Sequence, residues 1–166
     1  EVTDYELQGK YKSASEVVEK ILKKANRNDQ HDHFVKAFIF KCKFSLLIEE
    51  TSNKDLLIEL ESYIDNSAFP VNAILHSYFA HFLEQLYDKV DYKIRGRTRL
   101  EIESSLDKID EWDTYAYVEQ ISKHYELSVV NKDALKQIPA SDFNLILTSS
   151  KAAQKFRPTL FDLLMH

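Results

Sequence analysis

Hydrophobic and polar residues alternate along most of the chain with the period of an α-helix. In the segment 14–25, apolar residues recur at spacings of three and one, which places them on one helical face. Charged residues occupy the other side, so this segment predicts an amphipathic helix, and Ser13 and Glu16 have the spacing of a capping box near its start. The apolar stripe consists of Ala14, Val17, Val18, Ile21, Leu22 and Ala25.

Similar patterns predict helices along the rest of the chain. The segment 30–50 is apolar around most of its circumference, which predicts burial on more than one side. From Trp112 onward, the predicted stripe consists of Trp112, Tyr115, Val118, Ile121 and Tyr125. A further helix is predicted to have Pro70 in its first turn and its apolar stripe at 74–86. The other predicted helices cover 56–64, a weak segment 100–109, a short segment 143–147 and a terminal segment capped by Thr159.

The predicted helices are joined by short connections, which favours antiparallel neighbours. Gly9 permits a left-handed turn before the first long helix, and the small Ala14 lets that helix approach its neighbour closely. The spacing Gly9-x-Tyr11-x-x-Ala14 resembles the turn of a tetratricopeptide helical hairpin and occurs once. The sequence therefore predicts one all-α domain over 1–166, with six or seven helices stacked as antiparallel hairpins in a tetratricopeptide-like superhelix.

Composition agrees with this all-α prediction and excludes several classes of protein. A chain of 166 residues with 44% hydrophobic residues is long enough for one globular core. Only 2 Gly and 3 Pro disfavour a β-sandwich or barrel and exclude a glycine-rich phosphate loop. The net charge of −5 gives no bulk attraction to nucleic acid, and no segment approaches the ~20 apolar residues of a membrane span. We therefore expect neither nucleic-acid binding nor membrane insertion.

Residues able to support catalysis or metal binding are scattered and form no known motif. The acidic and histidine residues before the helix at 30–50 are better explained as a solvated helix start, and the single Cys42 as a small buried residue. His76 and His81 are five residues apart, a spacing that does not place them on one helical face. We therefore predict no catalytic residue, no metal and no cofactor. The residues weighed here are Asp29, His31, Asp32, His33, Cys42, His76 and His81.

A basic run around Gly96 is the most distinctive polar feature. Its four cations, Lys93, Arg95, Arg97 and Arg99, are candidates for binding phosphate, an anionic glycan or an acidic partner. A solvated loop or intramolecular arginine pairs are the alternatives. Aromatic residues at helical spacing are interpreted mostly as core, with one or two in an exposed groove; they are Tyr78, Phe79, Phe82, Tyr87, Trp112, Tyr115, Tyr117 and Tyr125.

Several stretches, in this order and spacing, resemble the N-terminal helical region of the large alpha-2-macroglobulin-like proteins of Bacteroidetes bacteria. The resemblance extends over essentially the whole chain, and its most specific piece is the stretch 157–164. In that family this piece closes the helical region. The stretches that carry the resemblance are Gly9 with 11–14, 34–39, 70–77, 111–113 and 156–164.

The resemblance implies a place in a larger architecture. Members of the family are envelope or secreted proteins with a signal or lipoprotein peptide, downstream β-sandwich macroglobulin domains, often a thioester domain, and an inferred role in trapping proteases. The thioester motif Cys-Gly-Glu-Gln is absent here, so inhibition maps to no residue of this chain. The expected partners are the downstream domains, an envelope protein or a protease, and the expected location is the periplasm or the outer membrane.

Two functions are therefore open, and neither is enzymatic. The first is a non-catalytic interaction or scaffolding module of a macroglobulin-like protease inhibitor. The second is a stand-alone tetratricopeptide-like adaptor that binds a peptide segment in the cytoplasm. The missing initiator Met and the apolar run that ends at His166 favour the first.

Overall fold

The computed structural model describes residues 1–28, 30–48, 53–97, 105–143 and 156–165. Within these residues the chain is helical, and the one β feature is an isolated antiparallel bridge between Pro139 and Thr159. The predicted all-α class is confirmed. The chain folds into two compact units: unit 1 comprises Glu1–Asn53 and Lys136–Leu163, and unit 2 comprises Lys54–Leu135 and Leu164–His166. The single domain and the superhelical stacking stay predictions.

Unit 1 is built on an antiparallel pair of long helices. Helix α1 (Val2–Leu7) precedes α2 (Tyr11–Arg27) and α3 (His31–Leu47). The start of α2 lies beside the end of α3, because the ring of Tyr11 contacts that of Phe44 with centroids 6.2 Å apart. Nearer the connection, the ammonium group of Lys41 lies 3.2 Å from a carboxylate oxygen of Glu19. The predicted short connection between antiparallel neighbours is thus present in this pair.

The junction between α1 and α2 matches the predicted turn. Gly9 has φ +68°, the left-handed region that favours glycine, and Ala14 is completely buried. The predicted capping box is wrong, because α2 begins at Tyr11 and its N-cap is Lys10, which makes no side-chain capping hydrogen bond. Ser13 therefore lies inside the first turn rather than before it.

Helix α3 is buried on several sides, as its apolar circumference predicts. Its buried side chains lie too far apart around the helix to belong to one stripe. Cys42 is among them, in agreement with its interpretation as a small core residue. The buried residues of α3 are Val35, Ala37, Phe38, Cys42, Phe44 and Ser45.

The C-terminal part of unit 1 is held by backbone hydrogen bonds and a capped helix. The amide of Leu160 donates to the carbonyl oxygen of Ile138 at 2.9 Å, beside the isolated bridge. Helix α8 (Leu160–Leu164) begins with a capping box, in which Thr159 and Asp162 each accept the other's backbone amide. The predicted Thr159 cap is confirmed. A 3₁₀ turn covers Ala140–Phe143, and the rest of the helix predicted at 143–147 lies outside the described residues.

Unit 2 contains a second antiparallel pair, formed by its two longest helices. Ring contacts between Tyr87 and Tyr117 and between His76 and His124 join α5 and α6 in opposite directions. The helices of this unit are α4 (Asn53–Asn66), α5 (Val71–Ile94), a 3₁₀ helix (Leu106–Glu111), α6 (Thr114–Ser128) and α7 (Lys132–Leu135).

Helix α5 is longer than the sequence predicts. The predicted apolar stripe ends at Leu86, whereas the helix continues to Ile94, whose buried side chain anchors the last turn. An ion pair between Asp91 and Arg95, four residues apart, extends along the same turn. Of the weak helix predicted at 100–109, the described part begins at 105 and forms the 3₁₀ helix. Within the described ranges, no helix is long and apolar enough to cross a membrane.

Candidate functional site

The cations of the basic run differ in their surroundings. Lys93 lies in the last turn of α5, where its amino group is 5.4 Å from the ring centroid of the neighbouring Tyr92. Arg95 binds Asp91, and this hydrogen bond, together with one from the hydroxyl group of Tyr87 at 2.9 Å, lowers the pKa of the Asp91 carboxyl group. Arg99 lies outside the described residues.

Arg97 is bound to the segment that precedes α6. Its Nη1 donates to the carbonyl oxygens of Asp110 at 3.0 Å and Trp112 at 2.9 Å. Trp112 is buried, and its indole Nε1 donates to the carbonyl oxygen of Ser105 at 3.1 Å. Arg95 and Arg97 thus make the intramolecular contacts that were the alternative to docking, and a docking role for the basic run stays a prediction.

Exposed aromatic and apolar side chains lie at the same end of the α5–α6 hairpin. Tyr92 on α5 is 74% exposed, while Tyr115 and Val118 on α6 are 61% and 50% exposed. The contact of Arg97 with Trp112 brings the end of α5 close to the start of α6. We define the basic end of the hairpin as Tyr92, Lys93, Arg95, Tyr115 and Val118.

The buried face of α6 is not the one that the apolar pattern predicts. Trp112 is buried as predicted, but Tyr115 and Val118 face solvent and Tyr117 takes their place in the interior. Burial of Tyr117, with the carboxylate of Asp110 as a smaller contribution, raises the pKa of its phenol to about 12. The buried side chains from the N-cap of α6 to its end are Asp113, Tyr117, His124 and Ser128.

The buried polar residues Asp113, His124 and Ser128 form hydrogen bonds, whereas the buried Oγ1 of Thr114 at the start of α6 has no partner among the described residues. The Oδ1 atom of Asp113 accepts from the amide of Ala116 at 2.8 Å and so caps α6. The hydroxyl group of Ser128 donates to the carbonyl oxygen of Tyr125 at 2.7 Å. Burying a polar group that keeps a hydrogen bond costs little free energy. The position of a side chain around the helix, rather than its hydropathy, therefore decides whether it lies in the interface.

The centre of the α5–α6 interface holds two histidines in contact. The Nδ1 atoms of His76 and His124 are 3.0 Å apart, a hydrogen-bond distance that requires one ring to donate and the other to accept. The ring of His124 also stacks on Phe79, with centroids 3.9 Å apart and planes 10° apart. Since only 4% of His124 is exposed, its imidazole lies in an apolar environment.

Burial makes both imidazoles weaker bases. For His124, burial and then the charges of His76 and Lys123 lower the pKa to about 3. Burial also lowers the pKa of His76; the nearby Asp65 acts in the opposite direction, and Lys123 adds to the lowering. Both rings are therefore neutral near pH 7, a state in which one Nδ1 can donate and the other accept.

A second polar contact joins the two helices beside the histidines. The hydroxyl group of Tyr125 donates to Oε2 of Glu84 at 2.7 Å, and burial together with this carboxylate raises the pKa of Tyr125. The exposed His81 lies 3.5 Å from the same carboxylate and hydrogen bonds with Gln85. His76 contacts α6 whereas His81 remains outside, as their spacing predicts.

The sequence does not predict the pairing of His76 with His124, because the spacing of His76 from His81 concerns one helix alone. A signal is nevertheless present: His124 lies seven residues after Tyr117, two helical turns along the same buried face. Hydropathy does not reveal which polar residue on another helix will meet it.

Apart from the buried Cys42, the other candidate residues lie at positions 29–33, around the start of α3. Among the side chains that the structure describes, no three His, Cys, Asp or Glu residues form a group able to hold a metal ion. His33 is exposed at the start of α3. Asp29 and the side chains of His31 and Asp32 lie outside the described part of the chain. The chemistry that the α5–α6 interface offers is thus proton binding by the paired imidazoles.

Comparison of the chain with protein-family models, with curated proteins and with solved structures gives no match.

Proposed function

We propose that this chain is a non-catalytic protein-interaction module that docks through the basic end of the hairpin. The observation that supports this most directly is the exposure of Tyr92, Tyr115 and Val118 at the end of the hairpin that also carries Lys93 and Arg95. Aromatic side chains and arginine are enriched in protein interfaces: the aromatic rings bury a large area with little loss of conformational freedom, and the guanidinium group can bind a carboxylate through two hydrogen bonds. A partner with an apolar centre and an acidic rim would fit this composition.

We further propose that the module belongs to a large alpha-2-macroglobulin-like protein of the bacterial cell envelope, in the periplasm or at the outer membrane. The support for this parent is the resemblance of the stretches at 11–14, 70–77 and 157–164. Its docking partners would be the downstream macroglobulin domains, an envelope protein or a protease. The module itself would supply binding, with inhibition supplied by other domains.

The second candidate is a stand-alone tetratricopeptide-like adaptor that binds a peptide. It is supported by the junction between α1 and α2, where Gly9 has a left-handed conformation and Ala14, five residues later, is fully buried. This junction resembles that of a tetratricopeptide hairpin. An immunoblot of fractionated source cells separates the two candidates. A band much heavier than 19.4 kDa in the envelope fraction supports the macroglobulin parent, whereas a band near this mass in the cytosol supports the adaptor.

Site-specific photo-crosslinking in the source cells tests the docking surface. Val118→p-benzoylphenylalanine places the reactive ketone at the proposed surface, and Lys20→p-benzoylphenylalanine places it on the exposed side of α2 as a matched control. We expect an adduct with one identified acidic protein or domain from position 118 and none from position 20. Added Lys93→Glu and Arg95→Glu should lower the adduct yield severalfold. Equal adducts from both positions, or none from position 118, would contradict the proposed surface.

A further inference from the structure

The His76–His124 contact between α5 and α6 depends on the protonation of its two rings. With one proton shared between the facing Nδ1 atoms, one ring donates and the other accepts across 3.0 Å. One added proton makes one ring positive, and that ring can still donate to the neutral one; when both rings are protonated, both Nδ1 atoms carry hydrogen and two positive rings face each other. The hydrogen bond is then lost and replaced by repulsion.

We propose that the His76–His124 contact is a pH switch, which holds α6 against α5 near neutral pH and releases it on acidification. The inference is independent of the proposed docking function, because it concerns the interior of the hairpin and not its exposed end. Its structural basis is the position of the pair between the two helices, with the His124 ring stacked on Phe79. Separation of the rings therefore also exposes an aromatic side chain of the core.

The charged groups around the pair determine the direction of the response. From α4, Asp65 favours protonation of His76, whereas Lys123 on α6 disfavours protonation of both rings. Further along α5, Glu84 is bound by the hydroxyl group of Tyr125. For His124, burial, with the charges of His76 and Lys123 as smaller contributions, holds the pKa well below that of an exposed histidine, so in the folded chain the pair resists protonation.

The same difference in pKa makes the stability of the hairpin depend on pH. Unfolding returns each histidine to a pKa of about 6.5, so the unfolded chain binds more protons than the folded one. The contribution of the histidine pair to stability is therefore fully present above about pH 6.5. It decreases as the pH falls toward the pKa of His124 in the folded chain, about 3. His124 alone should raise the unfolding equilibrium constant about 25-fold between pH 7 and pH 5, and His76 should raise it further.

Urea unfolding of the whole chain at pH 7, 6 and 5 tests the switch. The chain contains one tryptophan, Trp112, which lies edge-on to Tyr117 of α6 at 5.2 Å and so reports on unit 2 by fluorescence. The variant His76→Asn/His124→Asn keeps a polar group at each Nδ1 position but cannot bind the protons. We expect this variant to lose most of the pH-dependent change in the unfolding constant. His33→Gln changes an exposed histidine of α3 in unit 1; it is the control and should leave the pH dependence of Trp112 unfolding as in the wild type.

Two results would overturn the proposal. One is a pH dependence of Trp112 unfolding that is equal in the wild type and in the double asparagine variant. The other comes from NMR titration of the histidine Cε1–H signals in the folded wild type, which does not require any variant to fold. If His124 there binds a proton near pH 6.5 while Trp112 fluorescence is unchanged, the buried pair does not control the hairpin.

Discussion

The two antiparallel hairpins of this chain are held together by different chemistry. Between α2 and α3 the ring of Phe44 packs against that of Tyr11, and the ion pair of Lys41 with Glu19 lies where solvent reaches. Between α5 and α6, hydrogen bonds between histidines and between Tyr125 and Glu84 lie within the interface. The first interface gains stability from apolar area, whereas the second also depends on the protonation of its polar groups.

This difference decides how each hairpin responds to change. An apolar interface loses stability in proportion to the volume removed and is nearly indifferent to pH between 5 and 7. A buried polar interface is sensitive to the loss of one partner, because the remaining group stays buried without a hydrogen bond. In unit 2, stability should therefore be most sensitive to the loss of a buried polar group. In unit 1, it should be most sensitive to a change in the size of a buried side chain.

The largest effect on stability is expected for Trp112, whose side chain is buried and also forms a hydrogen bond in unit 2. Trp112→Ala removes a buried aromatic ring and the indole hydrogen bond to Ser105, and should lower the free energy of unfolding by about 3–5 kcal/mol. Trp112→Phe keeps most of the packing and should lose less than half as much. Thermal unfolding followed by circular dichroism measures both. A nearly silent Trp112→Ala would place the ring outside the core.

The sequence predicts α2 better than α6, and the reason lies in what each helix buries. On α2 four of the six residues of the predicted stripe are buried, among them Ala14, Val18 and Leu22, while Ile21 at its edge is 37% exposed. On α6 the residues 112, 115 and 118 recur every three positions, so the stripe drifts away from the true face of period 3.6. Its real face includes His124, whose burial depends on a partner in α5.

The same limit applies to the candidate site. The four cations of the basic run are visible in the sequence as a cluster, but the role of Arg97 depends on the carbonyl oxygens of Asp110 and Trp112, which the fold brings to it. Local signals were sufficient at Gly9 and at Thr159, because a left-handed turn and a capping box involve only neighbours in sequence.

The second largest effect on stability is expected in unit 1, where the size of a buried side chain should matter. Ala14 is completely buried on the face that carries the α2 stripe, so Ala14→Leu adds three carbon atoms where no space is left. We expect a loss of about 1–3 kcal/mol in the free energy of unfolding. Glu16→Leu, two residues along and exposed, should change it by less than about 0.5 kcal/mol. Urea unfolding followed by circular dichroism compares them, and equal effects would show that Ala14 does not limit the packing.

A smaller effect is expected at the N-terminus of α6, which has a cap that α2 lacks. Asp113→Ala removes the acceptor for the Ala116 amide and should lower the free energy of unfolding by about 1 kcal/mol. Asp113→Asn keeps an acceptor oxygen and should be close to the wild type. Lys10→Ala, at the N-cap of α2, should have no effect, because Lys10 makes no capping bond. Trp112 fluorescence during urea unfolding reports the Asp113 variants.

The smallest effects on stability are expected for the cations of unit 2. They distinguish Arg97, which stabilises the fold, from Arg95, which we propose binds a partner. Arg97→Met removes the hydrogen bonds to Asp110 and Trp112 but keeps an apolar stem, and should lower the free energy of unfolding by about 0.5–1 kcal/mol. Arg95→Met removes an exposed ion pair within α5 and should leave the unfolding curve nearly unchanged.

The charge reversal Arg95→Glu then tests binding, with only a weak repulsion between the new carboxylate and Asp91 added to the structure. It should reduce crosslinking from position 118 while the melting temperature stays close to that of the wild type, because the Arg95 side chain is largely exposed. Arg97→Glu should lower the melting temperature, since the reversed side chain cannot donate to the two carbonyl oxygens and repels them. A large loss of stability with Arg95→Glu would instead assign Arg95 to the structure of α5, and would leave Lys93 as the one described cation of the basic run that is available for docking.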